Sequence, residues 1–142
     1  MINYVIKNGY TTIIYYKDGK INKTTKSVYL VINELCIKYF STFFGRIEAI
    51  KNQFGFKRKI PILVSNSILL LPIYSYRSLN SLYINYYEIN DVEFETNIII
   101  IEFKDKTVLK LDKNVKFELV LKRGHLIHEE IKKLKEKENV FI

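Results

Sequence analysis

Residues 33–55 read NELCIKYFSTFFGRIEAIKNQFG, and the fold turns on how this stretch is arranged. Apolar residues recur at Cys36, Phe40, Phe43, Ile47, Ile50 and Phe54. Their alternating four- and three-residue spacing marks one stripe of an amphipathic helix. Asn33 suits an N-cap, Glu34 suits the first turn, and Gly55 suits the stop. The opposite face carries Lys38, Ser41, Thr42, Gly45, Ala49 and Asn52, with Arg46 at its edge. Ser, Thr and Gly are weak helix formers, so a face built from them is one that something approaches closely. Two readings stay open: a second packed element covers it, or a phosphate meets it.

Charge bears on that choice. A basic Lys57-Arg58-Lys59 follows the stretch directly. Residues 1–84 hold twelve Lys and Arg against three Asp and Glu, whereas residues 85–142 hold eleven against twelve. A basic half beside a near-neutral half points to one surface that faces a polyanion. The competing reading is solubilising charge spread over a Lys-rich chain.

Outside the helix the periods are mostly short. Asn3–Lys7 and Thr11–Tyr16 read as strands joined at Asn8-Gly9, a hairpin signal. Asp18-Gly19 makes a second turn, and Ser27–Val31 reads as a third strand leading into the helix. Pro61–Val64 and Ile68–Leu71 pair about Ser65-Asn66. Leu82–Tyr87 is another strand, and Ile98–Phe103 pairs with Thr107–Leu111. Residues 115–122 fit either period. Val115, Phe117, Leu119 and Leu121 alternate, while Phe117, Val120, Gly124, Ile127, Ile131 and Leu134 keep a helical stripe. The second pattern is longer and predicts a helix from Asn114 to Lys137. The expected class is α+β: an antiparallel, β-rich domain with one long amphipathic helix and a C-terminal helix.

At 142 residues the chain is expected to be one domain, 1–142, with a core of its own. The single cysteine, Cys36, excludes a disulfide framework and fits a reducing, cytoplasmic compartment. No cleavable leader is expected. The longest uncharged run, Ile60 to Tyr76, is interrupted by Pro61, Ser65, Asn66, Ser67 and Pro72. It is too broken for a span, so no membrane partner is expected.

Several features, taken in order, resemble the competence transcription factors, the ComK-type DNA-binding activators. They are Ser41-Thr42-Phe43, Gly45-Arg46, Pro61-Ile62, Leu71-Pro72, Ser75 to Arg77, and Tyr83-Ile84, with a weaker extension to Phe117-Glu118 and Arg123. The likeness covers about residues 27–130. It departs at Tyr83, where Trp is usual, at Phe40, where Gly often stands, and at Ile60, which replaces a frequent Pro. The resemblance implies an activator of DNA-uptake genes. Such an activator binds paired A/T-rich boxes in double-stranded DNA as a homo-oligomer, largely through the minor groove. Transcription machinery and a protease adaptor are further implied partners, and no cofactor is implied.

The residues suit that mode. A narrow A-tract minor groove concentrates negative potential and attracts Arg. Only four Arg occur among 23 basic residues: Arg46, Arg58, Arg77 and Arg123. Arg46 and Arg77 are the expected groove readers. Lys38, Lys51, Lys57, Arg58 and Lys59 are the expected phosphate contacts, helped by the hydroxyls of Ser41, Thr42, Ser75 and Ser78. Tyr74 and Tyr76 flank the loop as wedges or, more often for such residues, as packing.

Two other constellations are weaker. Asp91 with Glu102-Phe103-Lys104 has the outline of a Mg²⁺-dependent nuclease set, although such short matches arise by chance. His125 and His128 lie three apart but lack an evident third ligand, so no metal is expected. The leading expectation is therefore a non-enzymatic, sequence-preferring regulator. The alternatives are a shortened family member that modulates a full-length relative through protein contacts, and the nuclease.

Overall fold

The computed structural model describes residues 1–138. The single-domain expectation over 1–142 extends into residues 139–142, which lie outside the described residues. The class is α+β. Six strands form one antiparallel sheet: β1 (Ile2–Asn8), β2 (Thr11–Tyr16), β3 (Ile21–Thr24), β4 (Ile62–Ser65), β5 (Ile68–Tyr74) and β6 (Leu82–Asn85). Their spatial order is β3-β2-β1-β6-β5-β4. A second antiparallel sheet holds β7 (Ile89–Phe94), β8 (Ile98–Phe103) and β9 (Val108–Asp112). The helices are α1 (Val28–Lys38), α2 (Phe43–Phe54) and α3 (Phe117–Glu138).

The large sheet is covered on both faces. Helices α1 and α2 bury Val28, Val31, Ile32, Cys36 and Phe43 against Val5, Ile14, Val64, Leu70 and Tyr83. On the other face Leu71, Ile73, Leu82 and Ile84 meet Ile101, Phe103, Phe117 and Val120. A third cluster, Ile50, Leu63, Leu69, Ile127 and Ile131, joins α2 to α3 around the β4–β5 hairpin. This double coverage explains why β5 reads ILLLPIY without alternation. An antiparallel strand shows a clean polar face only when one side meets water. Pro72 is tolerated inside β5 because β4 pairs only as far as Leu70, leaving that side of the strand open. Asn85, fully buried between the layers, is satisfied on both ends of its amide. Its Nδ2 donates to the carbonyls of Ile2 and Ser67, and its Oδ1 accepts from the amides of Leu69 and Tyr87.

The stretch 33–55 is two helices, not one. Phe40 adopts a left-handed φ of 65° and is 99% exposed, so the chain turns there. Thr42 starts α2 as its N-cap, its hydroxyl accepting from the Gly45 amide at 2.9 Å. Asn33 sits inside α1, and its Oδ1 accepts from the Phe43 amide at 2.8 Å, so it caps the other helix. The apolar period survives the turn because both helices lie on the same face of the sheet. The segment Ser27–Val31 is the start of α1, with Ser27 accepting from the Leu30 amide, and the third strand is Ile21–Thr24 instead. β-branched Val28 and Val31 made that helix start look extended. Strand Leu82–Tyr87 ends at Asn85 and gives way to a 3₁₀ turn, Tyr86–Glu88. The acidic strand β7 was not expected, its exposed residues offering little apolar pattern. Residues 117–138 are helical, which decides the C-terminal ambiguity in favour of the longer pattern.

Candidate nucleic-acid interface

Strand register gathers four links at one end of the large sheet. β1 ends and β2 begins at the Asn8–Thr11 turn. Thr24, opposite Thr12, ends β3 at the same side. Leu82 lies opposite both Ile6 and Tyr74, which puts the β5–β6 loop there too. Ile62, opposite Leu70, starts β4 from that side, so the preceding Lys57-Arg58-Lys59 rises beyond it. None of these links contains an Asp or Glu.

The basic turn and the β5–β6 loop enclose a groove of about 640 Å³, lined by Lys57, Arg58, Lys59, Ser75, Arg77 and Ser78 with Pro72, Tyr74 and Tyr76. On the other side of the turn a second groove, of about 430 Å³, adds Lys116 and Arg123 from the start of α3. Among the described residues, no carboxylate lines either one. The cations are close enough to feel one another. Partial burial lowers the Lys59 pKa, and the Lys116 ammonium lowers it further. A bound polyanion would relieve that repulsion.

Each wall is held from inside. Lys59, at a left-handed φ of 50°, sends its ammonium to the Ile73 carbonyl, on the strand edge that β4 leaves open. The Arg123 guanidinium donates to the carbonyls of Arg58 and Lys59 and lies 4.4 Å from the Phe56 ring centroid. The β5–β6 loop contains two successive turns, closed by Ser78 N–H to the Ser75 carbonyl at 2.9 Å and Ser81 N–H to the Ser78 carbonyl at 3.3 Å. The buried Tyr83 hydroxyl accepts from the Tyr76 amide. Arg77 donates from Nε to the Tyr76 hydroxyl and lies over that ring at 5.4 Å. The Tyr76 ring in turn packs at 5.0 Å on Phe43 and 6.0 Å on Phe44.

Those ring contacts bring the N-terminus of α2, with Ser41 and Thr42, beside the loop. The small-residue face beyond them is open: Lys38, Thr42, Gly45, Ala49 and Asn52 are all exposed. Thus, among the described residues, no second element covers it. Lys38 and Lys51, which close α1 and α2, line neither groove. Arg46 also lies outside both. Its guanidinium turns inward and donates to the Tyr39 carbonyl at 3.0 Å, across the α1–α2 turn. There it offsets part of the burial that pushes the Cys36 thiol up. Tyr74 and Tyr76 are packing residues, half-buried against the two cores. The sequence reading passed over Lys116, which only the fold brings to the basic turn; no local pattern signals it.

The other two constellations differ from this one. Asp91 and Glu102 do face each other across β7 and β8, but Glu102 accepts from Asn90. His125 and His128 are engaged by the hydroxyls of Tyr86 and Tyr87. No group of three metal-ligating side chains occurs among the described residues. Nor, among them, is any helix long and apolar enough to cross a membrane.

A family model described as ComK protein matches residues 2–135 of the 142. No curated protein and no solved structure matches the chain.

Proposed function

Since this chain belongs to the ComK protein family, and so is a competence-related transcription regulator, we propose that it acts by binding A/T-rich duplex DNA as a homo-oligomer, largely through the minor groove. The observation that carries this reading is the carboxylate-free basic end of the large sheet, where the turn 57–59 and the loop 75–81 form one groove. Lys57, Arg58 and Lys59 contact phosphates there, with Ser75 and Ser78 as hydroxyl donors. Arg77, braced on Tyr76, enters the minor groove, where narrow A-tracts hold guanidinium groups. Ser41, Thr42, Lys38 and Lys51 extend the contact along the open face of α1 and α2. Arg46 supports that extension by bracing the turn that presents Ser41 and Thr42. The whole chain, 1–142, serves as the DNA-binding domain.

The test is selection from a random duplex pool, followed by sequencing of the retained DNA. Enrichment of paired A/T-rich boxes is expected. Retention without A/T enrichment overturns the minor-groove reading. Failure to retain any duplex favours a modulator that works through protein contacts alone.

A further inference from the structure

Among the described residues, three large apolar side chains stand almost wholly in solvent: Tyr10 and Phe40 at 99% exposure and Leu79 at 87%. A single exposed apolar residue is ordinary on a protein surface. Leu79 differs in its company and its mounting. It occupies the loop whose residues Ser75 to Ser78 wall the basic groove, directly beyond that wall and two residues from Arg77. Every other residue of that loop is either polar or, like Tyr76, packed inward.

The mounting is rigid. Leu79 follows directly on Ser78, the residue that closes one turn and opens the next. The Ser78 hydroxyl bonds the Asn80 side chain and accepts from the Asn80 amide, so both neighbours of Leu79 are fixed. Farther along, the Ser81 carbonyl accepts from the Lys7 amide and the Ser81 hydroxyl donates to the Tyr74 carbonyl, which ties the loop to β1 and β5. A side chain presented this way has little backbone entropy left to lose on contact.

We infer that Leu79 is a base-step wedge: it inserts from the minor groove between two stacked base pairs beside the Arg77 contact and kinks the duplex. This deepens the proposed function and rests on it. The partner chemistry follows from the surroundings. Adjacent cations hold the two phosphate backbones, and the apolar tip has only the stacked base faces to bury itself against. Minor-groove proteins that insert Leu or similar residues unstack a step and bend the duplex toward the major groove. Pyrimidine–purine steps such as TA yield most readily, which would add a preference within A/T-rich DNA that charge alone does not give.

The experiment uses an A/T-rich duplex recovered by selection, with 2-aminopurine placed at each TA step in turn and a donor–acceptor pair on its ends. Wild-type protein should raise 2-aminopurine fluorescence at one step and shorten the end-to-end distance. Leu79→Ala should abolish both signals and weaken binding by about tenfold, with the salt slope unchanged. Leu79→Met, which keeps an apolar tip, should retain both. Because the side chain is exposed, neither substitution should alter the melting temperature. The inference is overturned if Leu79→Ala keeps the fluorescence rise and the bend, or if wild type binds tightly with neither signal. It is also overturned if Leu79→Ala only changes sedimentation of the DNA-free protein, which would make the tip a contact between copies. If wild type binds no duplex, the DNA-binding reading falls first, and this one with it.

Discussion

Arg123 and Lys59 meet across sixty-four residues of chain: the Arg123 guanidinium donates to the Lys59 carbonyl at 3.1 Å. The contact ties α3 to the basic turn, so the groove wall depends on a helix far downstream of the turn. Arg123→Ala should lower stability by about 2 kcal/mol, the usual size for a lost hydrogen bond to a charged group. Arg123→Lys should recover less than half, since it lacks the planar stack on Phe56. Urea unfolding of the three proteins measures this.

Binding to A/T-rich duplex should weaken steeply with salt. Lys57, Arg58, Lys59 and Lys116 line the two grooves, and four neutralised phosphates give a log–log slope of about −4. Lys57→Ala or Arg58→Ala should each reduce that slope by about one unit on every duplex sequence alike. A titration at several salt concentrations decides it; a flat response would count against the basic rim.

Arg77→Lys and Arg46→Lys should separate. The first keeps charge but loses the planar group held on Tyr76, so A-tract preference should fall while mixed-sequence binding changes little. The second loses its directed bond to the Tyr39 carbonyl, so the melting temperature should fall as well. Competition between A-tract and mixed duplexes, paired with melting curves, reads both effects.

Asp105 should confer acid sensitivity. Partial burial raises its pKa, but hydrogen bonds from the Thr107 hydroxyl and amide, the Asp18 amide and the Asn3 side chain outweigh that and bring it from 3.8 down to about 2. A folded-state value below the unfolded one means the stabilisation is full above pH 3.8 and is lost as pH falls toward about 2. These bonds link the β8–β9 turn to β1, so acid should loosen the small sheet from the large one. Asp105→Asn should flatten the dependence of the urea midpoint on pH across that window.

Gly124→Ala should destabilise, against the usual helix preference. A Cβ there would stand 2.7 Å from the Tyr86 ring and 3.1 Å from a Leu71 methyl. Overpacking costs about 1–3 kcal/mol, which exceeds the roughly 1 kcal/mol that Ala brings to a helix interior. A lowered urea midpoint with unchanged slope checks this.

Much of this was legible in the chain. The β1–β2 hairpin, the β4–β5 pair, β8 with β9, and the C-terminal helix follow from period and punctuation. The basic turn and the β5–β6 loop were singled out as well, though not their meeting in one groove, which is a matter of strand order. The misreadings share a cause: local pattern does not reveal which partner a side chain finds. Phe40 continues the apolar stripe yet stands in water, because the Thr42 hydroxyl and the Asn33 amide start a new helix at Phe43. That Arg46 meets the Tyr39 carbonyl across the turn has no local signal either. Lys116 carries no signal at all until α3 packs on the sheet.

The placement of β1 in the middle of the large sheet has a kinetic side. Its hydrogen-bonding edge toward β6 stays unsatisfied until residues 82–85 have been made, an interval of about 4–15 seconds at ordinary rates of synthesis. During that time β1 and β2 form only a hairpin, and an open strand edge is a template for pairing with another nascent chain. Closure at Asn85, which ties Ile2 to Ser67 and Leu69, therefore completes the sheet late and through contacts of large sequence separation. Such contacts make folding slow, so the yield of active protein should depend on how crowded its own synthesis is.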